Sequence, residues 1–181
     1  MIYYTSDLHL GHKNIIKYEN RPFKDIHEMT LSLIKNWNNK IKSNDEVYIL
    51  GDLAFIGNPL PIEILMSFIK QLNGKIHLIR GNHDKWVDKK NFNPRLFESI
   101  NYYKEIKDQG KDIILCHYPI ENWNGMEHGS IHLHGHLHSY KTELYRENRF
   151  NVGVDNWNYE PVSLDEITEK GLLYVSKNNK Y

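Results

Sequence analysis

Cysteine is all but missing from this chain. Cys116 stands alone, so no disulfide can form within the chain, and a small bridge-stapled secreted scaffold is excluded. That usage is consistent with a reducing cytosol. Long apolar runs are missing too. None approaches the ~20 residues that cross a bilayer, which argues against a helical membrane span. Residues 1–5 read directly as a strand, leaving no room for a secretory leader. Charge of one sign is also lacking, because Lys+Arg and Asp+Glu both number 23. A non-specific grip on nucleic acid needs clustered positive charge, so neutrality counts against that class. The expectation is a cytoplasmic protein without membrane contact.

The chain does contain enough apolar material, 40% over 181 residues, to bury a core as one domain spanning 1–181. Short apolar runs at 1–5, 46–50, 75–80, 113–116, 130–134, 150–154 and 172–175 read as strands. Residues 104–108 and 112–116, joined by Gln109-Gly110-Lys111, read as a hairpin. Helical spacing appears in three places. Ile26, Met29, Leu33, Ile34, Trp37 and Ile41 trace one face behind an Asp25/Glu28 capping box. Ile62, Leu65, Met66, Ile69 and Leu72 follow Pro61 and stop at Asn73-Gly74. A third helix opens at Ser163-x-x-Glu166 and ends by Gly171. The N-terminal half alternates strand and helix. The C-terminal half is mostly strand, which predicts an α/β pattern growing into a second, largely antiparallel sheet.

Histidine is the unusual figure, at 11, and it joins aspartate and asparagine in five clusters, most at the ends of apolar runs. These are Asp7-Leu8-His9, Gly51-Asp52, Gly81-Asn82-His83-Asp84, His117 and Gly135-His136-Leu137-His138. Carboxylate, imidazole and amide oxygen together suit hard-to-borderline divalent ions, and a carboxylate can bridge two of them. Ligands in open α/β sheets bind beyond the carboxyl ends of strands, where Asp7, Asp52, Asn82 and His117 all fall. Gly51, Gly81 and Gly135 each precede an expected ligand, where a missing side chain lets the backbone turn sharply. His132, His134, His136 and His138 share one parity, so alternation alone does not choose among them.

The order D-x-H, G-D, G-N-H-D, H, G-H-x-H resembles the signature of the calcineurin-like metallophosphoesterase superfamily, in its small stand-alone bacterial or phage form. The resemblance runs from Asp7 to His138, with residues 151–155 resembling the strand that follows the last motif. It implies a four-layer αββα sandwich, two mixed sheets flanked by helices. It also implies that Asp7, His9 and His138 hold one metal ion, that Asn82, His117 and His136 hold the other, and that Asp52 bridges them. Two divalent ions are expected, Mn²⁺ first, with Fe²⁺, Zn²⁺ and Mg²⁺ as alternatives. Some members place a tyrosine ligand three residues after the Gly-Asp aspartate; here that position is Phe55, so a ferric–phenolate centre is not expected. Water between two such ions loses a proton near neutral pH and can attack phosphorus in line with the leaving oxygen.

His83 adjoins Asn82 yet is not used as a ligand by the pattern. Imidazole suits proton donation near pH 7, which marks His83 as the acid for the leaving group. Two roles are open to Asp84, orienting that loop or capping the segment after it. His12 can touch a substrate phosphate or face solvent. Arg21, before Pro22-Phe23, can clamp a phosphate bidentately or lie on the surface. Trp123 and Asn124, in the loop after His117, can meet substrate, with the indole stacking on a base, or simply pack that loop. His132 and His134 fit a strand face. Arg80 is placed to buttress the Asn82 loop. The expected activity is hydrolysis of a phosphate ester, a diester ahead of a monoester, with a small or nucleotide-like substrate. The alternatives are a nuclease, or a non-catalytic scaffold such as one sorting-coat subunit of this superfamily. The sequence leaves substrate identity and oligomeric state open.

Overall fold

A computed structural model describes residues 1–56, 60–139 and 148–169. Two mixed sheets face one another. The first has the order β4-β3-β2-β1-β9 and the second β5-β6-β7-β8. In the first, β1 (Ile2–Thr5), β2 (Glu46–Ile49), β3 (Lys75–Ile79) and β4 (Ser99–Asn101) run parallel, and β9 (Val162–Ser163) pairs antiparallel with β1. Strand alternation divides the apolar side chains between two cores. Tyr3, Val47, Ile49, Ile76 and Leu78 pack with Met29, Leu33 and Trp37 of α2 (Ile26–Lys40) and with Ile62, Leu65 and Ile69 of α3 (Ile62–Ile69). Tyr4, Tyr48, Leu50 and Ile79 instead meet Ile113, Leu115, Ile131 and Leu133 of the second sheet.

The capping expected at α2 is present, with Glu28 N–H donating to Asp25 Oδ1 at 2.8 Å; the Glu28 carboxylate accepts in return from Lys24 N–H rather than from Asp25. The Ser163/Glu166 pair makes a fuller capping box at the start of the helical residues 164–169. The expected strand at 172–175 and the end of that helix lie outside the described residues.

The second sheet corrects one expectation. Only β5 (Tyr103–Asp108) and β6 (Lys111–Cys116) form an antiparallel hairpin; β6 with β7 (Ile131–His134), and β7 with β8 (Arg149–Asn151), are parallel. The segment after His117 is long enough for the crossover that parallel strands need. It lies over the face of β7 opposite the inter-sheet core, where Trp123 packs on the His132 ring at 5.3 Å and Ile120 N–H meets His132 Nε2. His132 and His134 are accordingly buried strand residues. Three short elements, β4, β9 and α1 (Lys13–Tyr18), had no readable period because each is under two helical turns or four strand residues.

Candidate metal centre

The expected ligands converge at the carboxyl ends of β1, β2, β3, β6 and β7. Donor atoms of Asp7, His9 and His138 lie within 4.8 Å of one another, as do those of Asp52, His117 and His136. Asp52 Oδ2 faces both groups, 3.7 Å from His9 Nε2 and 3.5 Å from His117 Nε2. Asn82 Oδ1 is 3.1 Å from His117 Nε2. Asp7 Oδ1 stands 4.0 Å from His9 Nε2 and 3.9 Å from His138 Nε2.

The backbone holds these side chains in strained form. Asp7, His9, Asp52, His136 and His138 all have φ between 47° and 68°. That left-handed region costs a non-glycine residue about 1–3 kcal/mol, and such strain gathers at functional sites. Glycine then answers two different needs. Gly51 has φ +88° and makes the expected sharp turn. Gly81 and Gly135 do not have positive φ; a Cβ at Gly81 would collide with the Asp52 carboxylate, and one at Gly135 with the Ser6 hydroxyl and then the Asp7 carboxylate. The space a side chain would occupy is given to the two acids and to Ser6.

In three of the four histidines, His9, His117 and His138, the nitrogen turned away from the centre is engaged, which aims the other inward. His138 Nδ1 is 3.1 Å from Asp155 Oδ2, His117 Nδ1 is 2.8 Å from the Leu50 carbonyl, and His9 Nδ1 is 3.2 Å from His12 Nδ1. His136 differs: its ring only packs, at 5.1 Å from His117 and 4.8 Å from Tyr118, while its backbone N–H donates to Asp7.

Burial, then the neighbouring His138 charge, hold His9 down to about 2, so it is neutral at any working pH. Burial raises Asp7. Burial is the largest influence on both Asp52 and His117 and opposes charge on each, but their mutual attraction, with the His83 N–H on Asp52 and the Asp7 carboxylate and Leu50 carbonyl facing His117, together outweighs it, lowering the acid and raising the imidazole. Both ring nitrogens of His117 face oxygen acceptors, so the pocket calls for a positive charge there.

These residues fit divalent ions on three counts. His9 Nε2 is buried with no hydrogen-bond partner among the described residues. The 3.5–4.0 Å separations between inward N and O atoms are too long for hydrogen bonds. Ligands held about 2.0–2.2 Å from one shared ion stand roughly that far apart.

Around the expected ligands, Asp84 is fully buried and accepts from the backbone N–H of Asp52, Leu53 and Gly81 and from Trp86 Nε1. It therefore ties two ligand loops together, although burial pushes its carboxyl up to about 6. Arg80 braces that loop through the Asp84 carbonyl and Asp88. His83 donates its N–H to Asp52 Oδ1, leaving Oδ2 to face the centre, and its own Nε2 stands 3.9 Å from Oδ2. His12 reaches the centre's edge, stacked on Phe55 at 4.6 Å.

Two expected substrate contacts are corrected. Arg21 is buried; it forks onto Asp155 at 2.8 and 2.9 Å and donates to the carbonyls of Asp7 and Leu8. Every donor it could offer a phosphate is spent, on Asp155, on Met29 Sδ and on the loop that carries Asp7 and Leu8. Asn124 donates to Glu105, and Trp123 is buried with its Nε1 on Ser130, so neither touches an expected ligand. Asp155 is the supporting residue that sequence reasoning missed. It ends the 151–155 stretch that was matched only as a strand, and nothing local there pointed to a carboxylate that engages both His138 and Arg21.

Comparison with known proteins agrees with this geometry. Residues 2–154 match the model of the calcineurin-like phosphoesterase superfamily domain. An uncharacterised protein of Methanocaldococcus jannaschii is 39% identical, the match covering 98% of this chain and 97% of the relative. The Gene 66 protein of Mycobacterium phage L5 is 30% identical, with 91% of each covered. A crystal structure of a protein of unknown function from Aquifex aeolicus superposes with a TM-score of 0.73 at 27% identity, covering 94% of this chain and 98% of that one. Strand-end ligands, strained backbone and matched family model lead to one conclusion: the chain belongs to the calcineurin-like phosphoesterase superfamily.

Proposed function

We propose that this protein, as one domain over residues 1–181 in the cytoplasm, hydrolyses phosphate esters at a pair of divalent ions, with phosphodiesters favoured over monoesters. The observation that carries this reading is the position of Asp52 Oδ2, within 3.7 Å of inward-facing imidazole nitrogens on both sides. Asp7, His9 and His138 would hold one ion, and Asn82, His117 and His136 the other, with Asp52 shared. Mn²⁺ suits this mixed N/O set, with Fe²⁺, Zn²⁺ and Mg²⁺ as alternatives. When bound, such a pair supplies Lewis acidity toward phosphoryl oxygens and lowers the pKa of water between the ions.

The chain's own residues do the rest. His83, partly open to solvent, donates the proton that the leaving oxygen requires, from Nε2. Its backbone N–H meanwhile fixes Asp52. His12 orients His9 through their paired Nδ1 atoms and presents its ring edge to the substrate phosphate. The preference for a diester follows from charge. Arg21 is consumed by Asp155, so no arginine remains to meet the second charge of a monoester among the described residues at the cradle. A cytoplasmic setting is supported by the lone cysteine and by the lack, among the described residues, of a helix long and apolar enough to cross a membrane.

The test is turnover of bis(p-nitrophenyl) phosphate against p-nitrophenyl phosphate, across the four ions. Faster turnover of the diester, greatest with Mn²⁺, is expected. Metal-loaded protein that cleaves neither would overturn the proposal.

A further inference from the structure

A cleft of about 480 Å³ adjoins the cradle and shares Asn82 and His83 with it; Phe55, Trp86, Lys85 and Lys89 also line it. The volume falls within the roughly 300–1,000 Å³ typical of small-molecule sites. Three features of its lining bear on what it holds. First, Phe55 is 41% exposed, a large apolar side chain left half open beside a polar centre. His12 backs the ring at 4.6 Å and His83 lies tilted 5.3 Å away, so the phenyl is held in place while much of it meets solvent. Second, Lys85 and Lys89 are exposed and form no ion pair among the described residues. Third, the nearby acids are engaged elsewhere: Asp84 turns inward onto backbone N–H groups, and Asp88 pairs with Arg80. The cleft is therefore cationic, with one aromatic surface.

We infer that this cleft is the leaving-group subsite and that it takes a single nucleotide, the base on Phe55 and the nucleotide's own phosphate at Lys85 and Lys89. The inference rests on the phosphoesterase reading for one step only. His83 lines both spaces, so a group whose oxygen takes the His83 proton extends into the cleft. The ester bond between phosphorus and the nucleotide's hydroxyl oxygen breaks. The hydroxyl of water goes to phosphorus and its other proton to solvent, while the proton from His83 goes to the departing nucleotide oxygen and is replaced from solvent. Stacking on an aromatic ring accepts any base, so the cleft selects a nucleotide over a plain anionic sugar without selecting among bases.

Calorimetric titration of the manganese-loaded protein reads this without requiring turnover. The probes are AMP, ribose 5-phosphate, adenosine and inorganic phosphate. AMP is expected to bind about tenfold tighter than ribose 5-phosphate, for which the stacking is missing. Phe55→Leu keeps the apolar bulk but removes the ring, and should weaken AMP about tenfold while leaving ribose 5-phosphate unchanged. The double variant Lys85→Gln, Lys89→Gln should weaken AMP and ribose 5-phosphate about tenfold and leave adenosine, which carries no phosphate, unchanged. Equal affinity for AMP and ribose 5-phosphate, or variants that weaken all four probes alike, would overturn the inference. Failure of the wild type to cleave bis(p-nitrophenyl) phosphate would count against the phosphoesterase reading, and the binding pattern would still report on the cleft.

Discussion

On the Asp7 side of the cradle, charged side chains hold the expected ligands from behind. Asp155 engages His138 Nδ1, and Arg21 locks Asp155 while gripping the Asp7 and Leu8 carbonyls. On the Asp52 side no carboxylate backs an imidazole: His117 leans on a carbonyl, His136 rests against Tyr118, and the Asp84 carboxylate is given to backbone N–H groups. A carboxylate behind an imidazole raises its basicity and fixes its tautomer more firmly than a carbonyl or a ring contact does. Two ions bound at these groups should therefore not be held equally. The ion at Asp7, His9 and His138 is expected to be the tighter, and the one nearer His136 the first to leave on dialysis.

The substitution that breaks the comparison most completely is Asp52→Asn, because one shared charge serves both sides. Both ions should weaken together, and diester turnover should fall by at least about 10³. Metal analysis that still finds two full equivalents would remove Asp52 from the shared position. His83→Gln is the next largest, and it separates chemistry from ion binding. Both ions should stay while the rate falls by roughly 10²–10⁴; unchanged turnover in metal-replete protein would mean the leaving oxygen finds its proton elsewhere.

Asp155→Asn sharpens the difference between the sides. It should weaken the ion on the Asp7 side by about 10–100-fold and leave the other unchanged, read by competition with a chelator, with circular dichroism confirming the fold. Equal weakening of both would show the sides to be one unit. The smallest effect concerns protons. Although burial opposes it, Asp52 raises His117 and Asp155 raises His138, so each side keeps one imidazole proton above the ordinary range when no ion is bound. An imidazole must be neutral to ligate, so loading at neutral pH should release protons, that of His117 among them. Apparent affinity should then rise with pH until those protons are gone. Titrations in buffers of different ionisation enthalpy count them, and no release would contradict the assignment of His117 and His138.

The expected ligands were legible as a group because each follows a strand end or belongs to a short motif; Asp7, His9, Asp52, Asn82, His117, His136 and His138 stand together at one rim. What escaped was support that depends on distance in the chain. Arg21 and Asp155 are 134 residues apart, and nothing local distinguishes an arginine that grips a ligand loop from one that awaits a phosphate. The direction of β7 and β8 was equally hidden, since apolar alternation gives a strand its faces without telling which way its neighbour runs. The roles of Gly81 and Gly135 were half legible: their positions were marked, but the need was room for Asp52 and Asp7 rather than a turn.

Diffraction from Mn²⁺-soaked crystals, collected at the manganese absorption edge, tests the paired-ion claim most directly. Two anomalous peaks about 3.5–4 Å apart are expected, with Asp52 between them and the peak beside Asp7, His9 and His138 the fuller. A single peak, or peaks lying away from Asp52, would contradict it.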